Sequence, residues 1–366
     1  MMALLTFELE LLWEAIHVIA NLGGFAIRAA NLDDPSDRRL IDNFLDCHSQ
    51  TQPFHRPRWI RGVERGTGHQ GYYLIAEDAG RTCGVLPLSR VRSPLFGNAL
   101  VSAGFGVGGG IITSSDMAAE ALAQAATTLA NREKCSTVEL RGGPIPDGWE
   151  REEGLYAGFR RDLPTEDERI LESIPRKQRA EIRRTLAGGL AVEAGRSERL
   201  VDEHYRVYAQ SVHNLGTPVF PRALFEAMFD EWQDAADILV VRSGDEPVAA
   251  VLSLYDGGTV YPYWGGGTHA ARTLRANNLL YFALMRHAAE RSCRTFDFGR
   301  SKVGTGAFAY KSNWGFAPTP LVYARNGRAR DVNPLAPKRR LQTAVWKRLP
   351  LPVANRLGPI IAKGLA

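Results

Sequence analysis

The chain repeats itself, and a repeat of this length constrains the architecture before any single residue is considered. Residues 72–84, YYLIAEDAGRTCG, read as a strand, a polar turn and a returning strand. Residues 237–250, DILVVRSGDEPVAA, repeat the arrangement with Gly244-Asp245 at the turn. Alternating apolar runs about such a turn predict a hairpin. Each hairpin leads into a strand-rich stretch that ends in three glycines, Gly108–Gly110 and Gly265–Gly267. A helical segment follows each triplet, SSDMAAEALAQAATTLA in the first copy and LRANNLLYFALMRHAAE in the second. Both carry apolar residues at spacings of three and four, the mark of a face laid on a sheet. Ser114 or Ser115 is placed to cap the first helix, and Asn277 or Asn278 lies near the start of the second. The helices run on to matching strands that open at Cys135 and Cys293, each roughly 25 residues beyond its triplet, as one β–α–β crossover requires. Order, turn and spacing agree, so the chain reads as a duplication with its boundary near Leu163-Pro164. That gives an N-terminal extension over 1–24, domains over 25–163 and 164–325, and a basic tail over 326–366.

A chain of 366 residues, 45% hydrophobic and 23% charged, can bury two such cores without metals or disulfides. Cys47, Cys83, Cys135 and Cys293 are far apart and lack metal-ligand spacing, so they read as free thiols of a reducing compartment. The opening MMALLTFELELLWEAIHVIA has no basic start, and Glu8, Glu10 and Glu14 interrupt its apolar run. It reads as a short amphipathic helix or an upstream start, not a secretory signal. No stretch reaches the roughly 18 apolar residues that span a bilayer, and the expected location is the cytoplasm. The net charge of +5 is uneven: residues 332–366 hold Lys338, Arg339, Arg340, Lys347, Arg348, Arg356 and Lys363 and no acid, so the rest of the chain carries −2. The basic character belongs to the tail and does not argue for a nucleic-acid-binding core. Within the tail, Leu341, Val345, Trp346 and Leu349 fall at helical spacing among Lys338, Arg339, Lys347 and Arg348. The pattern suits a helix packed on the domain through Trp346, or a peripheral contact with the inner membrane; Pro350 and Pro352 stop it early.

The order of hairpin, glycine turn, helix and strand resembles the GNAT acyltransferase fold. Two such halves in one chain resemble the Fem family, which adds amino acids to peptidoglycan precursors from aminoacyl-tRNA. The likeness rests on Phe54-His55-Arg56-Pro57-Arg58-Trp59, Gly84-Val-Leu-Pro-Leu88, Phe296-Asp297-Phe298-Gly299-Arg300-Ser301 and, above all, Tyr310-Lys311-Ser312-Asn313-Trp314-Gly315-Phe316. The pattern is most similar to a FemAB-related group found with exosortase (PEP-CTERM) and exopolysaccharide systems. The resemblance implies an α/β (α+β) fold of two tandem GNAT-like domains with mixed, mainly antiparallel sheets. It also implies amide formation between an activated donor, aminoacyl-tRNA or acyl-CoA, and an amine on a cell-envelope or exopolysaccharide precursor. An acyl-CoA-dependent GNAT N-acyltransferase and a non-catalytic binding module of an exopolysaccharide or sorting system are the alternatives. One departure bears on the donor. CoA-dependent GNAT enzymes carry R/Q-x-x-G-x-G/A before the main helix, where backbone N–H groups hold the pyrophosphate. Here residues 271–278 read ARTLRANN, without either glycine, and Gly106-Val-Gly-Gly-Gly110 in the first half lacks the arginine or glutamine. Neither copy carries a competent CoA motif, and no cofactor or metal is expected.

Transfer of this kind must orient two partners, take up a proton and stabilise an oxyanion. Lys311 is the first candidate, standing where Fem enzymes carry a Phe-Lys or similar pair. The resemblance implies that it stabilises the tetrahedral intermediate; the alternative is a solvated surface lysine. Asp297 lies between Phe296 and Phe298, which should face the opposite side of their strand. It accepts a proton or orients the amine, or else ties down the Gly299–Gly306 loop. Arg300, Tyr310 and Trp314 stand beside this pair as substrate-binding candidates. Arg176, Arg179 and Arg183 share one face of a basic helix that either grips phosphates or is merely solvated. His213 and Arg222 bracket a polar stretch that, in Fem enzymes, contributes to the acceptor pocket. Tyr261 and Tyr263 line the same cleft or serve as core. His55 and Trp59 face that cleft from the first half or cap its opening helix. The working site is expected in the second half, near the domain junction.

Overall fold

The computed structural model describes residues 18–330 and 340–365. Expectations for the first 17 residues and for Lys338 and Arg339 lie outside those described. In chain order the first half forms β1 (Val18–Leu22), β2 (Phe25–Ala29), α1 (Pro35–Asp46), α2 (Pro57–Thr67), β3 (Gln70–Asp78), β4 (Arg81–Ser93), β5 (Gly97–Ser102), β6 (Ile112–Thr113), α3 (Asp116–Arg132), β7 (Thr137–Arg141) and β8 (Glu150–Glu152). Then come β9 (Tyr156–Asp162), α4 (Asp167–Glu172), α5 (Arg176–Leu186), β10 (Ala191–Gly195), α6 (Glu198–Leu215), α7 (Arg222–Trp232), β11 (Ala236–Ser243) and β12 (Glu246–Asp256). The chain continues through β13 (Thr259–Gly267), α8 (His269–Thr273), α9 (Ala276–Glu290), β14 (Thr295–Lys302), α10 (Gly306–Asn313), β15 (Pro318–Pro320) and β16 (Tyr323–Gly327). Two helices close it, α11 (Arg340–Arg348) and α12 (Leu351–Ala362).

These elements form two units, each built on its own sheet. The first sheet runs β1-β2-β3-β4-β5-β7-β16-β8 with β6 beside β4, and the second runs β10-β11-β12-β13-β14-β9-β15. Among the described strands each sheet holds one parallel pair, β5 with β7 and β13 with β14, flanked by antiparallel neighbours. The expected hairpins turn at Ala79-Gly80 and Gly244-Asp245, where Ala79, Gly80 and Gly244 take φ of 46°, 76° and 58°. The repeat extends to single backbone bonds. After α3 and α9, Lys134 and Ser292 take φ of 55° and 63°, and the following Cys135 and Cys293 donate to Ala130 and Ala288 carbonyls at 2.8 and 2.9 Å. Both cysteines are buried.

Helix α3 lays Leu122, Ala125, Ala126 and Leu129 on Ile27, Leu74, Leu86, Leu100 and Leu140. In the second unit, Leu280, Leu284, Met285 and Ala288 of α9 meet Leu239, Val251, Phe296 and Phe298. Removing each such large side chain from water contributes about 1.5–3 kcal/mol. Ser115, not Ser114, caps α3 by accepting from Ala118 N at 3.3 Å. Neither Asn277 nor Asn278 caps α9. The N-cap is Arg275 at φ 55°, while Asn278 accepts from the Tyr310 hydroxyl at 3.1 Å and Asn277 packs against Gly267.

The units divide differently from the sequence boundary at Leu163-Pro164. Strand β9 follows the first unit in sequence, yet it pairs with β14 in the second, from Thr295↔Asp162 to Lys302↔Tyr156. Strand β16 follows the second unit, yet it pairs with β7 in the first, from Tyr323↔Arg141 to Gly327↔Thr137. The second unit therefore begins at Glu153, and the chain returns to the first at Val322. The basic tail starts only beyond β16, and β1 lies within the segment read as an extension. The chain then resumes the second unit with α11 and α12, which pack on α6.

Candidate active site

Where the parallel strands part, each sheet leaves a gap, and the two units treat that gap differently. In the first, β5 and β7 pair only at Leu100↔Val138 and Val101↔Glu139. The next segment, 103–110, is buried except for half-buried Val107, and it stitches the two sides together. Gly104 N donates to Ser89 Oγ (3.1 Å) and its carbonyl accepts from Trp59 Nε1 (3.0 Å). Arg141 Nη1 donates to the Gly106 carbonyl (2.6 Å), and Tyr323 Oη to that of Val107 (3.1 Å). A Cβ on Gly108 would lie 2.0 Å from Gln52 Oε1, and one on Gly110 would lie 1.8 Å from the Gly142 carbonyl oxygen. The first glycine triplet thus serves close packing within the protein. His55 and Trp59 are buried in this same unit, 4% and 0% exposed, and support the plug.

In the second unit β13 and β14 pair at Thr259↔Thr295 and Val260↔Phe296 and then separate. One arm carries buried Tyr261, half-buried Tyr263 and Gly265–Gly267, which are half-exposed. Tyr263 is the extra residue of a bulge, because Leu252 faces Trp264 while Ser253 faces Pro262. The bulge cancels simple alternation, a device that re-aims side chains beside working sites. The other arm carries Asp297, with Phe296 and Phe298 buried on the opposite face. Opposite it, β9 is in register at Asp297↔Arg160 and again at Arg300↔Gly158, so this arm is also irregular at Phe298-Gly299.

Two charged side chains brace that irregularity. Asp297 Oδ1 accepts from Gly299 N at 2.8 Å, and Gly299 takes φ of 68°, a conformation that glycine adopts without strain. Lys311, projecting from α10, donates its Nζ to the carbonyls of Gly299 (3.2 Å) and Arg300 (2.8 Å). The same ammonium lies 5.5 and 5.6 Å from the ring centroids of Phe159 and Phe298. Burial draws its pKa down to about 8, with Arg300 adding to the depression and Asp297 opposing it. Burial raises the Asp297 carboxyl above its ordinary value, against the pull of the Gly299 N–H, Arg160 and Lys311. Tyr261 is buried within the field of Asp297, and both effects push its hydroxyl upward. Tyr281 packs its ring on Phe298 at 4.7 Å and near Tyr310 and Trp314; burial pushes its hydroxyl up to about 12.

Asp297, Lys311, Tyr261, Tyr310 and Arg300 therefore gather about the parted strands, with the Arg300 guanidinium 4.6 Å over the Tyr156 ring. Trp314 is wholly buried at 0% exposure, so it holds the surrounding rings and does not line a cleft. His213 donates from Nε2 to the Leu349 carbonyl at 3.0 Å, which ties α6 to the C-terminal helices. Arg222 lies on α7, bound to Glu226 (2.7 Å) and Asp202 (2.5 Å). Both are engaged by protein groups outside the Asp297–Lys311 cluster. Arg176 is exposed at the start of α5, and Arg179 one turn later is half-buried, its Nη1 3.5 Å from the Glu172 carbonyl. Just beyond β13, the short helix α8 sets Ala271 so close that a Cβ on Gly267 would lie 2.7 Å from it. Arg275 beside it is paired with Glu181 of α5. Sequence reading missed Arg160, whose strand alternates like any other and gains its meaning from a distant partner. It also missed Tyr281, because a helical aromatic reads as core.

Residues 175–312 match the family model for an acetyltransferase (GNAT) domain. Among curated proteins, none matches the sequence. In structure the chain is similar to FemX, with a TM-score of 0.61 and 16% identity, over 78% of this chain and 95% of that one. It is also similar to a tandem GNAT protein from the clavulanic acid biosynthesis pathway, with a TM-score of 0.55 and 12% identity, over 83% of this chain and 98% of the other. The chain carries a tandem GNAT fold. The chain is similar as well to L-PGS from Bacillus licheniformis, at a TM-score of 0.52 and 15% identity, over 91% of this chain and 96% of that protein. Within the GNAT pair, the matched stretch takes in Tyr261, Asp297 and Lys311 of the open strand pair and omits the plugged one.

Proposed function

We propose that the second GNAT unit forms an amide bond between an activated acyl or aminoacyl donor and an amine. The observation that carries this reading is the pairing of Asp297 and Lys311 about the Gly299 bulge, beside the open arms of β13 and β14. The amine nitrogen attacks the donor carbonyl carbon, whose oxygen takes up the electron pair as an oxyanion. Lys311 keeps one N–H beyond the two given to backbone carbonyls, and its charge suits that oxyanion. Asp297, made more basic by burial, takes the proton that the amine loses. When the carbonyl re-forms, the leaving oxygen or sulfur departs and is protonated.

Aminoacyl-tRNA is the favoured donor. Residues 271–278 lack the glycines of a CoA pyrophosphate loop and hold the end of helix α8 and the Arg275–Glu181 pair instead, while exposed Arg176, Lys177 and Arg183 offer cations to a phosphate chain. The resemblance to the Fem pattern supports an acceptor amine on a cell-envelope or exopolysaccharide precursor. The second reading, an acyl-CoA-dependent N-acyltransferase, draws on the GNAT domain match itself.

Purified protein assayed with charged tRNA and with acyl-CoA against amine acceptors separates the two. Lys311→Met should lower turnover by a factor of about 100 or more, the scale of one lost oxyanion donor, with the fold and acceptor affinity largely kept and the melting temperature somewhat lowered because the Gly299 and Arg300 carbonyls lose their donor. Unchanged turnover would remove Lys311 from the mechanism. Micromolar calorimetric affinity for acetyl-CoA would place the acyl-CoA reading first.

A further inference from the structure

Helix α12 is amphipathic in an inverted sense. The residues it buries are small: Ala354, Gly358 and Ala362, spaced at four, are packed inward. The fit is close, since a Cβ on Gly358 would lie 3.0 Å from both Cγ1 and the backbone N of Val219. Three bulky aliphatics point the other way, while Leu351 and Ile361 are half-buried. Val353 and Leu357 are each 43% exposed and Ile360 is 74% exposed, along one stripe at helical spacing. Neighbouring α11 adds Leu341 at 78% and Val345 at 55%, and Leu215 at the end of α6 is 54% exposed. An ordinary surface helix turns such residues inward and leaves its small ones to water.

The surroundings of the stripe are cationic. Lys347, Arg348 and Arg356 are exposed on the same two helices, and residues 332–366 contain seven basic residues and no acid. From this combination we propose that α11 and α12 form a face that rests on an anionic membrane surface. The aliphatic side chains would enter the boundary between headgroups and acyl chains while the basic ones meet lipid phosphates. The face lies on the surface and does not cross the bilayer: among the described residues no helix is long and apolar enough to do so. A nucleic acid would engage the cations but leave the aliphatic stripe in water. A second copy of the chain would set like charges against each other. An anionic lipid surface satisfies both features. The face is separate from the Asp297–Lys311 cluster, so either assignment can fail without the other.

Flotation of the full chain with vesicles tests the assignment. One set contains equal parts phosphatidylglycerol and phosphatidylcholine, the other phosphatidylcholine alone, both at physiological salt. The wild-type chain should float with the anionic set only. The double variants Leu357→Asp/Ile360→Asp and Lys347→Glu/Arg348→Glu should each lose roughly tenfold or more of the bound fraction. Their melting temperatures should stay near that of the wild type, because the altered residues are exposed. Failure of the wild type to float, or flotation retained by either variant, would overturn the proposal. So would a dimer in sedimentation velocity that Leu357→Asp/Ile360→Asp disperses, which would assign the stripe to a second copy.

Discussion

Lys311 meets two demands with one ammonium group. It closes the carbonyls of Gly299 and Arg300, and in the proposed reaction it faces the oxyanion. The two demands can be separated by pH. Burial disfavours the charged form, so the folded protein holds the cation fully only below about pH 8. If the cation is the working form, kcat at saturating acceptor should fall as the pH rises through that value. Lys311→Arg, which stays charged, should flatten the fall. A pH–rate profile that climbs through the same region would make the lysine a base instead. At this scale the sequence was partly legible. Asp297 and Lys311 sit in motifs dense enough to single out, and the structure brings them to one bulge. Arg160 was hidden because only a strand pairing far along the chain sets it opposite Asp297. The family resemblance points His213 and Arg222 to an acceptor pocket, whereas their engagement by Leu349, Asp202 and Glu226 depends on packing that no local pattern announces.

At the scale of elements, apolar spacing located α3 and α9, and turn residues located both hairpins, because these signals are local. Helix α8 was not foreseen, being a single turn, nor was α12. Pro350 and Pro352 do end the preceding helix, but Pro350 is the N-cap of the next and Pro352 lies in its first turn, where a missing N–H costs nothing. What holds α12 in place is the absence of side-chain bulk. Gly358→Val should force atoms into Val219 and destabilise the protein by about 1–3 kcal/mol, the usual range for overpacking. A thermal melt would show a loss of several degrees, roughly 2–4 °C for each kcal/mol in a unit of this size. An unchanged melt would mean that α12 can lift from α6 at no cost.

For the molecule as a whole, the duplication was legible because it recurs in order and spacing. The crossed strands were not, since trading β9 for β16 leaves every local pattern unaltered. The trade has a direct test. A fragment of residues 164–325 lacks β9 and leaves β14 without its antiparallel neighbour, whereas 153–321 retains it. The shorter cut should express poorly and melt without a cooperative transition, and the fragment starting at residue 153 should do better on both measures. Equal behaviour would show that β9 contributes little to the second sheet.

The crossing also sets a timetable for synthesis. Strand β7 ends at Arg141, but the strand that covers its far side ends at Gly327. At about 5–20 residues per second, a nascent chain waits on the order of ten seconds or more between making the two. Throughout that interval the edge of a nearly finished sheet offers its N–H and C=O groups to any passing strand. For this protein the interval on the ribosome is thus a period of exposure, one that a holdase covering a single strand edge for those seconds would close.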